Sequence, residues 1–148
     1  GLIKYKCQNF DLSTKKASSG SKSIYMKWEN SDECALTQIG MSWNKWFPID
    51  LSSVKDNSAL LLKYYSDKNE LPSLKILLQD YDRKSGTIDL SDNSKYNTNQ
   101  SGEWKEISIP LSLMANQIDH KRVKQLILET YNSGEIYIDE IKLVSLPQ

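Results

Sequence analysis

Residues 58–66, SALLLKYYS, 73–81, SLKILLQDY, and 123–131, VKQLILETY, decide the fold. In the first, Leu62 and Tyr64 fall on one side, Lys63 and Tyr65 on the other. In the second, Leu74, Ile76, Leu78 and Asp80 oppose Leu77, Gln79 and Tyr81. In the third, Leu126, Leu128 and Thr130 oppose Gln125, Ile127, Glu129 and Tyr131. Successive side chains of a strand point to opposite faces, so this period of two predicts half-buried strands. Each carries an aliphatic face and a face of amides, carboxylates, Lys and Tyr. The aliphatic faces must meet in a core.

The same reading extends outward. Ile3 to Phe10 is a first strand, and Ser13 to Ser21, ending in Ser-Ser-Gly, is a loop. SIYMKWE, Ser23 to Glu29, alternates Ile24, Met26 and Trp28 against Tyr25, Lys27 and Glu29. Leu36 to Trp43 leads into a turn at Pro48, Gly86 to Leu90 is short, and Glu103 to Ile109 is stopped by Pro110, which has no N–H to donate. Leu111 to Asn116 makes one helical turn. Glu135 to Val144 is a last long strand, joined to the one before by a hairpin turn at Asn132-Ser133-Gly134. About nine short strands with polar turns predict an all-β, two-sheet antiparallel β-sandwich of the jelly-roll type. The 148 residues suit a single domain, 1–148, with no internal repeat.

Charge narrows the partners. Nineteen basic and 19 acidic residues give a net charge of zero. Nucleic-acid binders carry a basic excess to neutralise phosphates, and polybasic membrane anchors carry one too, so neither class fits. No apolar run approaches the roughly 20 residues that span a bilayer, so no membrane insertion is expected. GLIKYKCQNF lacks a signal-peptide layout, and the chain reads as a module of something larger. Cys7 and Cys34 are too few for a zinc site. Export would leave a single disulfide open to them; the plainer reading is two unpaired, partly buried thiols.

Catalytic motifs are missing. His120, the one histidine, lies in the charged turn DHKR, and no G-x-S-x-G, P-loop, dinucleotide fingerprint or H-E-x-x-H is present. A carboxylate pair for glycoside hydrolysis is defined in space rather than in sequence, but the chain is short for a glycosidase. The expectation is a protein that is not an enzyme and has no catalytic cofactor.

Binding residues stand out instead. Tyr (8) and Trp (4) outnumber Phe (2), a bias toward rings with a polar handle. In Met41-Ser42-Trp43-Asn44-Lys45-Trp46-Phe47-Pro48, one of Trp43 and Trp46 is expected to be structural and the other exposed, with Phe47 packed beneath. An exposed indole stacks on the apolar C–H face of a pyranose. If the strands neighbour each other, Lys63, Tyr65, Gln79, Asp80, Tyr81, Arg83, Glu129 and Tyr131 add hydroxyl partners and rings to one polar surface. Asp139 interrupts the apolar last strand. If it points inward it needs a partner, and a structural calcium would serve; otherwise it lies outward in a salt bridge.

Four segments, SGSKSIYMKW, WNKWFPIDLS, EWKEISIPLS and VKQLILETYNSGEIYIDEIKLV, together resemble the jelly-roll carbohydrate-binding modules of bacteria. These belong to the galactose-binding-domain-like superfamily and are appended to glycoside hydrolases or surface glycan-binding proteins. The resemblance implies a non-catalytic, extracellular or cell-surface monomer within a multimodular protein. It implies a polysaccharide ligand, for instance a plant β-glucan, lying across the concave sheet or on one rim. It also implies a calcium between the first-strand region and the last strand, with Asp139 as a ligand, backbone near Ser19 to Lys22, and Asp11 as the nearest acidic partner. The alternative is a structural or protein-interaction sandwich of a cell-surface protein that binds no glycan.

Overall fold

The structure, a computed structural model, describes residues 2–4, 9–29, 37–67, 73–91 and 104–146. Cys7 and Cys34 lie outside the described residues. Ten strands are present among them: β1 (Leu2–Lys4), β2 (Asn9–Ser13), β3 (Ser23–Glu29), β4 (Thr37–Met41), β5 (Ser58–Tyr65), β6 (Leu74–Asp80), β7 (Ser85–Asp89), β8 (Lys105–Pro110), β9 (Val123–Thr130) and β10 (Ser133–Ser145). The expected first strand is thus two, β1 and β2, in different sheets. One short helix, α1 (Ser112–Ala115), falls where a helical turn was expected.

The strands form two antiparallel five-stranded sheets, β1-β4-β9-β6-β7 and β2-β3-β10-β5-β8. We call them the first and second sheets. Their inner faces supply the aliphatic sides anticipated from the sequence: Ile39, Ile76 and Leu128 from one, Leu60, Leu62 and Ile138 from the other. Burying each such side chain contributes roughly 1.5–3 kcal/mol. Trp28 joins this core, and its indole N–H donates to the Tyr131 carbonyl at 2.9 Å, so its one polar atom is satisfied.

One local expectation is corrected. Residues 132–134 do not make a hairpin: β9 pairs with β4 and β6, whereas β10 pairs with β3 and β5. Asn132, at a φ of 54°, instead marks the chain's passage between sheets. Pro110 ends its strand, as expected. It is the last residue of β8, opposite Ala59, and β8 is an edge strand where a missing N–H costs no ladder bond.

The sandwich end near α1 is closed by a backbone contact. A Cβ added at Gly86 would lie 2.1 Å from the Met114 carbonyl oxygen, and Met114 and Ala115 are fully buried. Backbone cannot swing aside as a side-chain tip can. Gly86→Ala is therefore expected to lower stability by about 1–3 kcal/mol. Thr87→Ala, at an exposed neighbour, should stay within about 0.5 kcal/mol. Urea midpoints of the two variants check this, and equal losses would refute it.

Candidate functional site

The outer face of the first sheet is laid out in rows across four strands. Gly40, Ile127, Leu77 and Thr87 stand opposite one another on β4, β9, β6 and β7. On one side lies the row Gln125, Gln79 and Ser85, and on the other Gln38, Glu129, Lys75 and Asp89. Side-chain hydrogen bonds tie these rows. Gln125 Nε2 donates to Gln79 Oε1 at 2.7 Å, and Gln38 Nε2 donates to Glu129 Oε1 at 2.6 Å. Tyr131 O–H reaches both Asp89 carboxylate oxygens at 2.9 Å, with Ser91 Oγ beside it, and Lys75 Nζ lies 5.5 Å from the Tyr131 ring centre. Between two strips of hydrogen-bonding groups held in fixed orientations lies an apolar strip whose Ile127 and Leu77 are only 4% and 8% exposed.

Trp46 stands over this face. Its Cη2 would lie 3.9 Å from a Cβ built on Gly40, and Gln125 Oε1 would lie 2.2 Å from it. Gly40 thus leaves the space that both side chains use. The turn that aims Trp46 is strained: Lys45 and Trp46 have φ of 50° and 71°. It is closed by Phe47 N–H to Asn44 O at 2.9 Å and by Trp46 N–H to Ser42 Oγ at 2.7 Å. Left-handed non-glycine residues cost roughly 1–2 kcal/mol each. Gln125 Oε1 is buried and has no hydrogen-bond partner among the described residues, which is also costly.

The structure separates the residues expected on one surface. Gln79, Glu129 and Tyr131 do share this face, with Trp46 above and Tyr81 at its end. Tyr81 is half-buried between Arg122 and Lys124, at 5.6 and 5.7 Å from its ring centre. Trp43 is 38% exposed on the same turn as Trp46, and Phe47, expected beneath them, is 66% exposed instead. Arg83, at a φ of 65°, sits exposed in the β6–β7 turn. Lys63 and Tyr65 are corrected: β5 belongs to the second sheet, so they point out on the opposite side of the sandwich. Alternation along a strand fixes which residues share its face, but not which strand lies next to it. For the same reason the sequence reading left out Gln38, Lys75, Asp89 and Gln125, which only the strand order brings to Gln79 and Glu129.

Asp80 is corrected as well. It points inward, is 0% exposed, and accepts three backbone amides: Asp82 at 2.8 Å, Lys84 at 3.0 Å and Asp119 at 2.7 Å. It pins the β6–β7 turn to the loop before β9 and offers nothing to a ligand. Burial pushes its carboxyl up, but the three amides together outweigh that and hold it below the usual carboxylate range.

Asp139 lies where a calcium was expected. Calcium takes oxygen ligands. Here Asp139 Oδ2 accepts the Ser18 and Ser19 amides at 2.8 and 3.1 Å, and Oδ1 accepts the Glu140 amide at 2.8 Å. Glu140 Oε2 accepts Ser18 O–H at 2.7 Å and pairs with Lys63 Nζ at 2.8 Å. That ammonium holds the Glu140 carboxyl low and is itself raised by it. No group of three or more His, Cys, Asp or Glu that could hold a metal occurs among the described residues. Among the described residues both Asp139 oxygens are thus taken by N–H donors, which cannot themselves ligate a cation.

Residues 3–145 match the family model described as carbohydrate binding domain 30. The chain belongs to that family. It is a non-catalytic carbohydrate-binding module with the family's β-sandwich. The fold resembles the family 30 carbohydrate-binding module of a cellulosomal cellulase of Clostridium thermocellum, with a TM-score of 0.81 at 16% identity, covering 99% of this chain and 91% of that one. A further family 30 module gives 0.78 at 18% identity, over 94% and 75%. A family 11 module from Clostridium thermocellum, in complex with a β-1,3-1,4-mixed-linked tetrasaccharide, gives 0.63 at 11% identity, over 100% and 89%. No curated protein matches significantly.

In this module the buried turn carboxylate has a pH signature. A carboxyl depressed in the fold contributes stability that is full above its unfolded pKa of about 4 and is lost as pH falls through the folded value. Asp80→Asn should cost about 2 kcal/mol at pH 7, the range for hydrogen bonds to charged groups. The gap to wild type should narrow below about pH 4. Urea titrations at pH 7 and pH 3 check it; a gap independent of pH would assign the loss to packing.

Proposed function

We propose that this module binds a neutral β-glucan chain across the outer face of the first sheet, outside the cell, and holds a linked enzyme or cell surface at that polysaccharide. The observation that carries the reading is the pair of locked side-chain bonds, Gln79–Gln125 and Gln38–Glu129, flanking the apolar strip beneath Trp46. A pyranose has the complementary form, with an apolar C–H face for the indole and equatorial hydroxyls for amides and carboxylate. Side chains already held by one another lose little further freedom on binding. Two relatives support the ligand class: a family 11 module is named in complex with a mixed-linked tetrasaccharide, and a family 30 module is named as part of a cellulosomal cellulase. We read this chain likewise as a monomeric part of a multimodular protein. Its value there is effective concentration.

Affinity should be roughly micromolar to sub-millimolar, as a few stacking contacts of about 1 kcal/mol allow. Electrophoresis in gels containing a mixed-linkage β-1,3-1,4-glucan tests the surface. Wild type should be retarded, and Trp46→Ala should weaken binding about tenfold, or ~1.4 kcal/mol. Added NaCl should change little, since no charged ligand is involved. Retardation of Trp46→Ala equal to wild type would reject this face.

The reading also includes a metal-free joint between residues 14–22 and β10. Asp139 serves as an amide acceptor, with Lys63 as the cation beside Glu140. EDTA, or added calcium after EDTA, should leave Tm unchanged, whereas Asp139→Ala should lower it by several degrees. A Tm that falls in EDTA and recovers with calcium would restore the metal.

A further inference from the structure

The outer face of the second sheet carries a feature that the first sheet's role leaves unused. Tyr25 on β3 and Tyr65 on β5 both stand directly opposite Tyr137 on β10. Their rings lie 5.0 Å and 6.1 Å from that of Tyr137, tilted by 46° and 79°, and Trp104 extends the row 5.9 Å beyond Tyr65. Four aromatic rings thus cross the sheet in a line at right angles to the strands. Cross-strand aromatic pairs stabilise a sheet by roughly 0.2–1 kcal/mol each, so the row alone requires no ligand.

The relief around the row does point to one. A depression of about 510 Å³ is lined by Asp11, Ser13, Lys15, Tyr25, Glu135 and Tyr137 among others. A smaller one of about 90 Å³ is lined by Tyr65, Ser66, Asp67, Glu135 and Tyr137. They adjoin at Glu135 and Tyr137, which line both, and together they follow the aromatic line as a trough in two parts. Lys16 Nζ lies 4.1 Å over the Tyr65 ring and covers it, and Tyr137 is only 9% exposed, so ring contact falls chiefly to Tyr25, with Tyr137 packed beside it. There the walls mix carboxylates, hydroxyls and one ammonium, with no single sign of charge to select an ionic partner. A ligand that fits has apolar ring faces and many neutral hydroxyls. Burial, and then the negative charge of Glu135 beside it, raise the Tyr25 phenol above its ordinary value.

We propose that this trough is a second, weaker sugar-binding site, centred on Tyr25, Glu135 and Tyr137, for a neutral oligosaccharide. It goes beyond the first-sheet site and shares only its ligand class. The two sites face away from each other across the sandwich, so one module can hold two chain segments at once. On a long polysaccharide this joins chains rather than tightening the grip on one.

Two-dimensional NMR titrations with cellohexaose and with a mixed-linked β-1,3-1,4-tetrasaccharide separate the two sites. In Trp46→Ala, amides of Tyr25, Glu135 and Lys15 should still shift on titration with at least one of the two sugars. Adding Tyr25→Ala should weaken that second response by about tenfold or more. Glu135→Gln, at an exposed position, should weaken it too and guards against a Tyr25→Ala variant that does not fold. No shift at these second-sheet amides with either sugar, in wild type or Trp46→Ala, overturns the proposal. Loss of shifts at Gln79, Gln125 and Glu129 alone would count against the first-sheet reading and leave this one standing.

Discussion

The structure depends on one constraint: every residue that a strand sends into the shared core fixes the outward direction of its two neighbours. Leu126 and Leu128 go in because the core is the place where their apolar area leaves water, and Gln125, Ile127 and Glu129 must then go out. The same holds on β10, where burial of Ile136 and Ile138 turns Glu135 and Tyr137 outward. The two outer faces are thus the complement of the core. A slip of one residue in any central strand would exchange its binding side chains for aliphatic ones.

The two outer faces solve the same problem in different ways. The first sheet uses amides that restrain one another, Gln79 with Gln125 and Gln38 with Glu129, around a strip made apolar by Ile127 and Leu77. The second uses rings that restrain one another, with Lys16 closing one end. Mutual restraint lowers the ordering cost that otherwise cancels weak contacts. The strained Lys45-Trp46 turn belongs to this logic: backbone strain is accepted to hold one indole above Gly40.

The fold was legible in the sequence because its signal is local. Alternation in residues 58–66, 73–81 and 123–131 identified strands, their inward sides and the all-β class without reference to any partner strand. The site was legible only in part because it is assembled across strands. Gln79 and Glu129 were correctly placed on outward faces, and they meet because β6 lies beside β9. Lys63 and Tyr65 had the same local pattern but were sent to the far side by β5's place in the other sheet. Asn132-Ser133-Gly134 has hairpin chemistry, yet the chain changes sheets there, because β10 finds β3 and β5 as neighbours instead of β9. No residue near 132 records that choice.

Aspartate was the hardest residue to read, and the reason is physical. A carboxylate is at once a ligand for cations, a partner for sugar hydroxyls and an acceptor for backbone amides, and sequence does not say which. Here the last use dominates. Asp50, Asp80, Asp89 and Asp119 each accept the amide two residues ahead, at Ser52, Asp82, Ser91 and Lys121. Asp139 takes amides from a loop 120 and 121 residues away. These aspartates serve the turns that set the strands in place. Glutamate reaches further from its own backbone and is less able to close such a turn, so Glu129 and Glu135 remain on the outer faces. In a sandwich of short strands, where turns are many and amides at their tips need acceptors, the longer carboxylate is therefore the better guide to a binding surface than the shorter one.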